Sequence, residues 1–265
     1  MFKRILVGLD GSPTSWNAVD YAFTIGQKFD VPVVGIHIID ERILDEGLLE
    51  DIAGVLGFNY YAGISSKLRE FFEEQASVLL DEFLALGRER GVKVSSYQSV
   101  GKPYQMILSQ ADPEDLIVLG KKSHKPVSGF LLGSTTDIVA RRSACSVLIV
   151  PKEKRQIKKL CVGYDGSVLA KKALEMAKSL AKVFEGEVYA LHVGEKDFSN
   201  EVGEHVQYVG ILGIPEEKLI EYCKEKNMDL LLMGAFSKGR VKELILGSVT
   251  SFVMHHLNIP ILLVK

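Results

Sequence analysis

Residues 4–12, Arg4-Ile5-Leu6-Val7-Gly8-Leu9-Asp10-Gly11-Ser12, return as Lys159-Leu160-Cys161-Val162-Gly163-Tyr164-Asp165-Gly166-Ser167. Each stretch is an apolar run closed by Asp-Gly-Ser, residues that end a strand and open a helix. The offset of 155 continues past the match: Ala18/Ala173, Val19/Leu174, Ala22/Ala177, Ile25/Leu180, Phe29/Phe184 and His37/His192 all correspond. Later, Leu119-Gly120 and Gly133-Ser134 return as Met233-Gly234 and Gly247-Ser248 at an offset of 114. A repeat this long is two copies of one domain, not an array of small units. Function is therefore sought in what both copies keep.

The first copy alternates strand and helix. β-rich apolar runs fall at 4–10, 31–39, 93–100, 116–120 and 146–151, with helical patterns at 13–30, 66–90, 103–112 and 134–143. Ser12 can cap the first helix, Pro13 suits its first turn, and positions 18, 19, 22, 25, 26 and 29 form one stripe that the second copy repeats. Val33-Val34-Gly35-Ile36 and Leu116-Ile117-Val118-Leu119 are apolar without alternation. Such strands are buried on both faces, as in a parallel sheet between helices. The expected fold class is α/β: two tandem doubly wound, Rossmann-like domains over 1–152 and 157–265, with the charged linker Lys152-Glu153-Lys154-Arg155-Gln156 between them.

The copies are unequal. His37 and Gly101 have 63 residues between them, whereas His192 and Gly213 have only 20. In the first copy the stretch 41–64 carries Leu48-Leu49, Val55-Leu56 and Tyr60-Tyr61, too apolar for a solvated loop; a packed connector is expected, with a lid or partner surface as the other reading. In the second copy Gly194–Glu204 is too short for a crossover helix with its turns, so the second helix is expected to be missing. One face of that sheet then needs another cover, expected from the 41–90 region or from a second chain in a homodimer. The two copies are expected to pack as a pseudo-symmetric pair.

Lys plus Arg number 32 and Asp plus Glu 34, a near balance that argues against a nucleic-acid or membrane-surface role. No apolar run reaches the length of a membrane helix, and Met1-Phe2-Lys3-Arg4-Ile5 leads straight into a strand without a secretory pattern. Cys145, Cys161 and Cys223 form no Cys-x-x-Cys pair, so buried reduced thiols in a cytoplasmic protein are expected rather than zinc or disulfides.

In a doubly wound sheet the ligand sits beyond the carboxyl ends of the strands where their order reverses. Asp10 and Asp165 end the first strand of each copy, and Gly120 and Gly234 end the fourth. Thirteen residues further on, Gly133-Ser134 and Gly247-Ser248 open the last helix. A helix start offers unpaired N–H groups and a positive dipole end, and glycine lets a phosphate come close. Ser134, Thr135 and Ser248 add hydroxyl donors, and Lys121, Lys122 and Lys125 are read either as phosphate neutralisers or as solvated surface lysines.

These features together resemble the universal stress protein family: strand-Asp-Gly-Ser at the start, His-Ile-Ile-Asp and His-Val ending the second strands, and Gly-x12-Gly-Ser before the last helix. Both copies match, so the resemblance covers nearly the whole chain as a tandem member, and Lys242–Thr250 is closest to the ATP-binding branch with its Gly-x2-Gly-x9-Gly-(Ser/Thr) pattern. The resemblance implies a five-stranded parallel sheet per domain in the order 3-2-1-4-5 and an adenine nucleotide, ATP, with or without Mg²⁺. It implies a phosphate loop of Gly120, Ser123, Gly133, Ser134 and Thr135 in the first copy. In the second the same loop is Gly234, Ser237, Gly247, Ser248 and Val249. Adenine and ribose would meet Gly8, Leu9, Asp10, Ile38 and Leu119, or Gly163, Tyr164, Asp165, Val193 and Met233.

Ser123 and Ser237 stand where the family pattern has its middle glycine, and a serine there crowds a phosphate or strains a positive φ. Gly239 can compensate in the second copy; the first has Pro126 and no glycine before Gly129, which makes the second copy the better match. His37 and His192 read as hydrogen-bonded structural residues, and His255-His256 as complements to a helix carboxyl end. No Ser/His/Asp arrangement assembles, so an enzyme is not expected. The expectation is a nucleotide-binding regulatory protein of the stress response with little or no turnover. The alternatives are a nucleotide-free protein of the same fold acting through protein contacts, and a nucleotide-dependent transferase. Against the latter stands the absence of a Gly-Lys-Ser/Thr loop and of a Gly-x-Gly-x-x-Gly fingerprint.

Overall fold

The computed structural model describes residues 2–45, 47, 64–121, 132–235 and 246–265. Its first half runs β1 (Ile5–Gly8), α1 (Pro13–Phe29), β2 (Val33–Asp40), a 3-10 turn (Glu41–Leu44), α2 (Ile64–Glu89), β3 (Val94–Gly101), α3 (Pro103–Gln110), β4 (Leu116–Gly120), α4 (Ser134–Arg142) and β5 (Ser146–Val150). The second runs β6 (Lys159–Gly163), α5 (Val168–Phe184), β7 (Glu187–Val193), α6 (Ser199–Val202), β8 (Val206–Ile211), α7 (Pro215–Glu225), β9 (Leu230–Gly234), α8 (Ser248–His256) and β10 (Ile261–Val264). The apolar core of the expected 41–64 connector lies outside the described residues.

The ten strands among the described residues form one sheet in the order β3-β2-β1-β4-β5-β10-β9-β6-β7-β8. Each half is parallel in the order 3-2-1-4-5, and the halves meet where β10 runs antiparallel to β5, Ile261 opposite Ile149 and Leu263 opposite Val147. Like strands meeting head to tail are what a two-fold relation between the halves produces. The continuous apolar runs explain the layers. Ile5 and Val7 face a core shared with α1, α2 and α5, while Leu6 faces one built from α3, α4, α7 and α8. Both cores cross the boundary between the halves.

Helices α1 and α5 repeat even their ends. The Ser12 hydroxyl accepts the Ser15 N–H at 3.1 Å and that of Ser167 accepts the Ala170 N–H at 3.2 Å. Asp30 and Glu185 then close the helices in the left-handed region, each at φ 51°. The Asp-Gly-Ser turn needs its glycine, because Gly11 and Gly166 lie at φ +75° and +74°.

The halves differ over β2–β3 and β7–β8. Helix α2 covers the first pair, burying Leu80 and Phe83, and the Phe83 ring packs 5.1 Å from that of Phe23. The second pair is covered by the short connector itself, through buried Phe198 and Val202. Phe198 meets the His192 ring at 4.7 Å and the Tyr164 ring at 5.5 Å, both edge-on. The Tyr208 hydroxyl accepts the Phe198 N–H at 3.1 Å and donates to the Lys196 carbonyl at 3.3 Å, which pins the connector down. The expected need for a cover from the 41–90 region or from a second chain is thereby corrected, since Phe198 and Val202 cover this face from within the second half and, among the described residues of 41–90, α2 packs on β2 and β3.

The linker is fastened rather than loose. Tyr21 donates to the Arg155 carbonyl at 2.7 Å and accepts the Arg155 N–H at 2.9 Å, while the Asn17 amide donates to the Pro151 carbonyl at 2.7 Å. Burial pushes the Tyr21 phenol up to about 12.

Candidate functional site

The strand order reverses between β1 and β4 in the first half and between β6 and β9 in the second, and a cleft opens beyond the strand ends at each point. The first measures about 330 Å³ and the second about 320 Å³. Gly8, Leu9, Asp10, Ile38, Leu119, Gly120, Gly133, Ser134 and Thr135 come together around the first cleft. Gly163, Tyr164, Asp165, Val193, Met233, Gly234, Gly247, Ser248 and Val249 come together around the second. Ser123 and Ser237 lie outside the described residues, as do Lys122, Lys125, Pro126, Gly129 and Gly239.

The geometry of the two clefts repeats bond for bond. Asp10 Oδ1 accepts the Ser12 N–H at 2.9 Å and Asp165 Oδ1 accepts the Ser167 N–H at 2.9 Å, which sets each exposed carboxylate at the end of its strand. Helices α4 and α8 begin at Gly133 and Gly247, which supply no side-chain cap. The start of each helix is stitched to the end of its strand. Gly133 N–H donates to the Lys121 carbonyl at 2.8 Å, and Gly247 N–H to the Ala235 carbonyl at 3.2 Å. Gly120 and Gly234 allow the close approach of α1 and α5: a Cβ on either would lie 2.9 Å from Thr14 or 2.8 Å from Leu169.

Two further residues complete this stitch and escaped the sequence reading. The Thr136 hydroxyl donates to the Gly120 carbonyl at 2.8 Å and that of Thr250 to the Gly234 carbonyl at 3.2 Å. Their recurrence as Gly-Ser-x-Thr in both copies is the signal that would have found them. Asp40 and Arg42 also line the first cleft, where the Arg42 guanidinium grips Asp40 and holds its carboxyl below the usual range.

The histidines are committed to the scaffold. His37 Nδ1 donates to the Leu9 carbonyl and His192 Nδ1 to the Tyr164 carbonyl, each at 2.8 Å, tying the end of the second strand to that of the first. Burial lowers the affinity of His37 for a proton. Lys121 is neither a surface lysine nor placed toward a phosphate: it is 2 % exposed, and its Nζ donates to the Leu257 carbonyl beyond the far end of α8. The apolar contact of β4 with β5 carries the residue after Gly120 into the seam between the halves, where a helix carboxyl end accepts its charge.

The clefts differ in lining. Thr14, Ser15 and Thr135 of the first correspond to Leu169, Ala170 and Val249 in the second copy. The first is thus rich in hydroxyls, with a guanidinium at its mouth, and the second is walled by Leu219, Met233 and Val249.

Fold and clefts define a tandem α/β protein with two pseudo-equivalent ligand sites at switch points. The model of the universal stress protein family matches residues 1–151, 156–203 and 195–265, and the chain belongs to that family. Universal stress protein Slr1230 of Synechocystis is 22% identical over 284 residues, covering 98% of this chain and 99% of its own. A universal stress protein from Archaeoglobus fulgidus superposes with a TM-score of 0.76 at 23% identity, over 99% of this chain and 98% of that one, and shares the fold. A universal stress protein crystallised in complex with cAMP aligns with 57% of this chain and 98% of its own at 25% identity and a TM-score of 0.40. Among the described residues no helix is long and apolar enough to cross a membrane.

Proposed function

We propose that this universal stress protein binds an adenine nucleotide, ATP in the first instance, and acts as a regulatory module of the stress response that holds its ligand with little or no turnover. One observation carries the reading: in both halves a strand-end carboxylate, a strand-end glycine and an uncapped Gly-Ser helix start converge on one cleft. Phosphates would lie against the first turn of α4 or α8, and the ribose hydroxyls against Asp10 or Asp165. The apolar walls of the second cleft suit a purine, which makes it the first to fill. Mg²⁺ would travel with the phosphates, held to the protein at most through water on Asp10 or Asp165. Among the described residues no three His, Cys, Asp or Glu side chains converge on an ion. Turnover is expected far below about 1 per second, because no Ser/His/Asp arrangement that could activate water is legible in the sequence.

Heating the purified protein and identifying the released small molecules by mass spectrometry, followed by calorimetric titration with Mg·ATP, tests the proposal. No adenine nucleotide released and no heat at millimolar ATP would leave the nucleotide-free reading, acting through protein contacts, in its place. The homodimer is part of the proposal but cannot use the last strands, since β5 and β10 already pair within the chain. Leu212 and Ile214, 69% and 52% exposed after β8, are the apolar side chains such a contact would bury, and light scattering decides it.

A further inference from the structure

The two clefts are not isolated from each other. Helix α4 begins at the first cleft and α8 at the second, and both end in the seam between the halves. They touch through paired contacts, each joining the last turn of one helix to the early part of the other: Arg141 on α4 donates to the Ser251 hydroxyl on α8 at 2.9 Å, and His255 Nε2 on α8 lies 3.4 Å from Asp137 Oδ1 on α4. At the repeat offset of 114, Asp137 corresponds to Ser251 and Arg141 to His255, so the two contacts exchange under the internal two-fold. Asp137 is itself held by Arg141 at 2.9 Å.

The carboxyl ends of the same helices are gripped from across the seam. Lys121, which follows the first cleft's Gly120, donates to the Leu257 carbonyl just beyond α8. Lys265, which follows β10, donates to the Ala140 carbonyl in the last turn of α4 at 2.8 Å. These two lysines are not repeat equivalents, since Lys121 corresponds to Ala235 and Lys265 to Pro151. The same reciprocal grip has thus been built from different positions. Each helix is fixed by its own cleft at one end and by the opposite half at the other.

We infer that α4 and α8 form a two-helix coupler through which occupancy of one cleft changes the affinity of the other. The inference rests on the nucleotide reading for its ligand but not for its mechanics. A phosphate drawn onto the start of α4 moves or stiffens a helix whose far end is bonded to α8 and to the strand behind it. In a nine-residue helix packed against a neighbour that displacement has little slack. Because coupling is a free energy shared by both sites, the effect is reciprocal.

The test uses the full chain and Mg·ATP. Calorimetry on the wild type is compared with Gly133→Val and Gly247→Val, each blocking one cleft, and the remaining cleft is expected to differ in affinity by about fivefold or more from its value when the other is filled. Arg141→Ala and the milder Ser251→Ala should bring the two values together. Two independent, unchanged affinities in the wild type overturn the inference. If ATP binds neither cleft, the nucleotide reading fails and hydrogen exchange on the unliganded protein decides the coupling. Thr136→Val loosens the start of α4 and should speed exchange of the hydrogen-bonded α8 amides at 251–256. Exchange that rises in α4 and stays unchanged in α8 rejects the coupler.

Discussion

In the first half, the 26 residues of α2 lie over β2 and β3; in the second, an eleven-residue connector, Gly194 to Glu204, protects the matching face of β7 and β8. A parallel sheet face requires an apolar cover, and a helix is only the usual way to supply one. Phe198 does so because Gly166 leaves room for it: a Cβ there would lie 2.3 Å from the ring. Shortening the connector has therefore concentrated on one side chain a function that α2 spreads over a helix face.

The largest effect should come from that concentration. Phe83→Ala and Phe198→Ala each empty a fully buried site and should cost about 3–5 kcal/mol in urea unfolding. Only Phe198→Ala should also weaken ATP at the second cleft, because the ring supports His192 and Tyr164, which line it. A loss below about 1 kcal/mol for Phe198→Ala, within the range of a surface substitution, would mean that another surface covers β7 and β8.

The clefts give the next comparison. Gly247→Val places a branched side chain where phosphate should approach the start of α8, and Gly133→Val does the same at α4. Each should lower ATP affinity at its own cleft about tenfold or more, a change of about 1.4 kcal/mol. The larger loss of total bound nucleotide is expected for Gly247→Val. Equal losses would remove the preference for the second cleft. Arg42→Ala sharpens the same contrast from the other side. It should change the salt dependence of binding only at the first cleft and leave stability within about 1 kcal/mol, as expected for an exposed ion pair.

The repeat made the fold readable, because two copies of one pattern exclude most accidental matches. The alternation of strand and helix follows from it, whereas the strand order and most of the nine residues around each cleft came from the resemblance to the universal stress protein family. The seam between the halves did not follow. Lys121 sits in a run, Lys121-Lys122, that reads as solvated surface, and its partner Leu257 lies 136 residues away. The cover over β7 and β8 was equally hidden. A lone Phe198 in a polar stretch carries no periodicity, and only the space above Gly166 shows where it goes. Thr136 and Thr250 were legible but ordinary, since their part is a single hydroxyl bond at a helix start.

The smallest expected effect tests an asymmetry at the linker. Tyr21, which clamps the Arg155 backbone from both sides, corresponds to Met176 in the second copy, so the second half holds the same residue differently, through the Arg155 guanidinium on the Met228 carbonyl at 3.3 Å. Tyr21→Phe removes that pair of bonds and should cost about 1 kcal/mol at neutral pH. The pH dependence reports the burial of the hydroxyl, which is the main cause of its raised value and which the bond to Arg155 partly offsets. The folded phenol titrates at about 12 against an ordinary value of 10.0, so the folded state holds its proton longer than the unfolded one. The stability this group contributes is complete below pH 10 and is lost as pH rises through 12. Unfolding of wild type and Tyr21→Phe in parallel should therefore show a deficit that is constant up to pH 10 and narrows above it. A deficit that stays constant across that window would show that the hydroxyl is not buried at the linker, and the pair of bonds with Arg155 would fall with that burial.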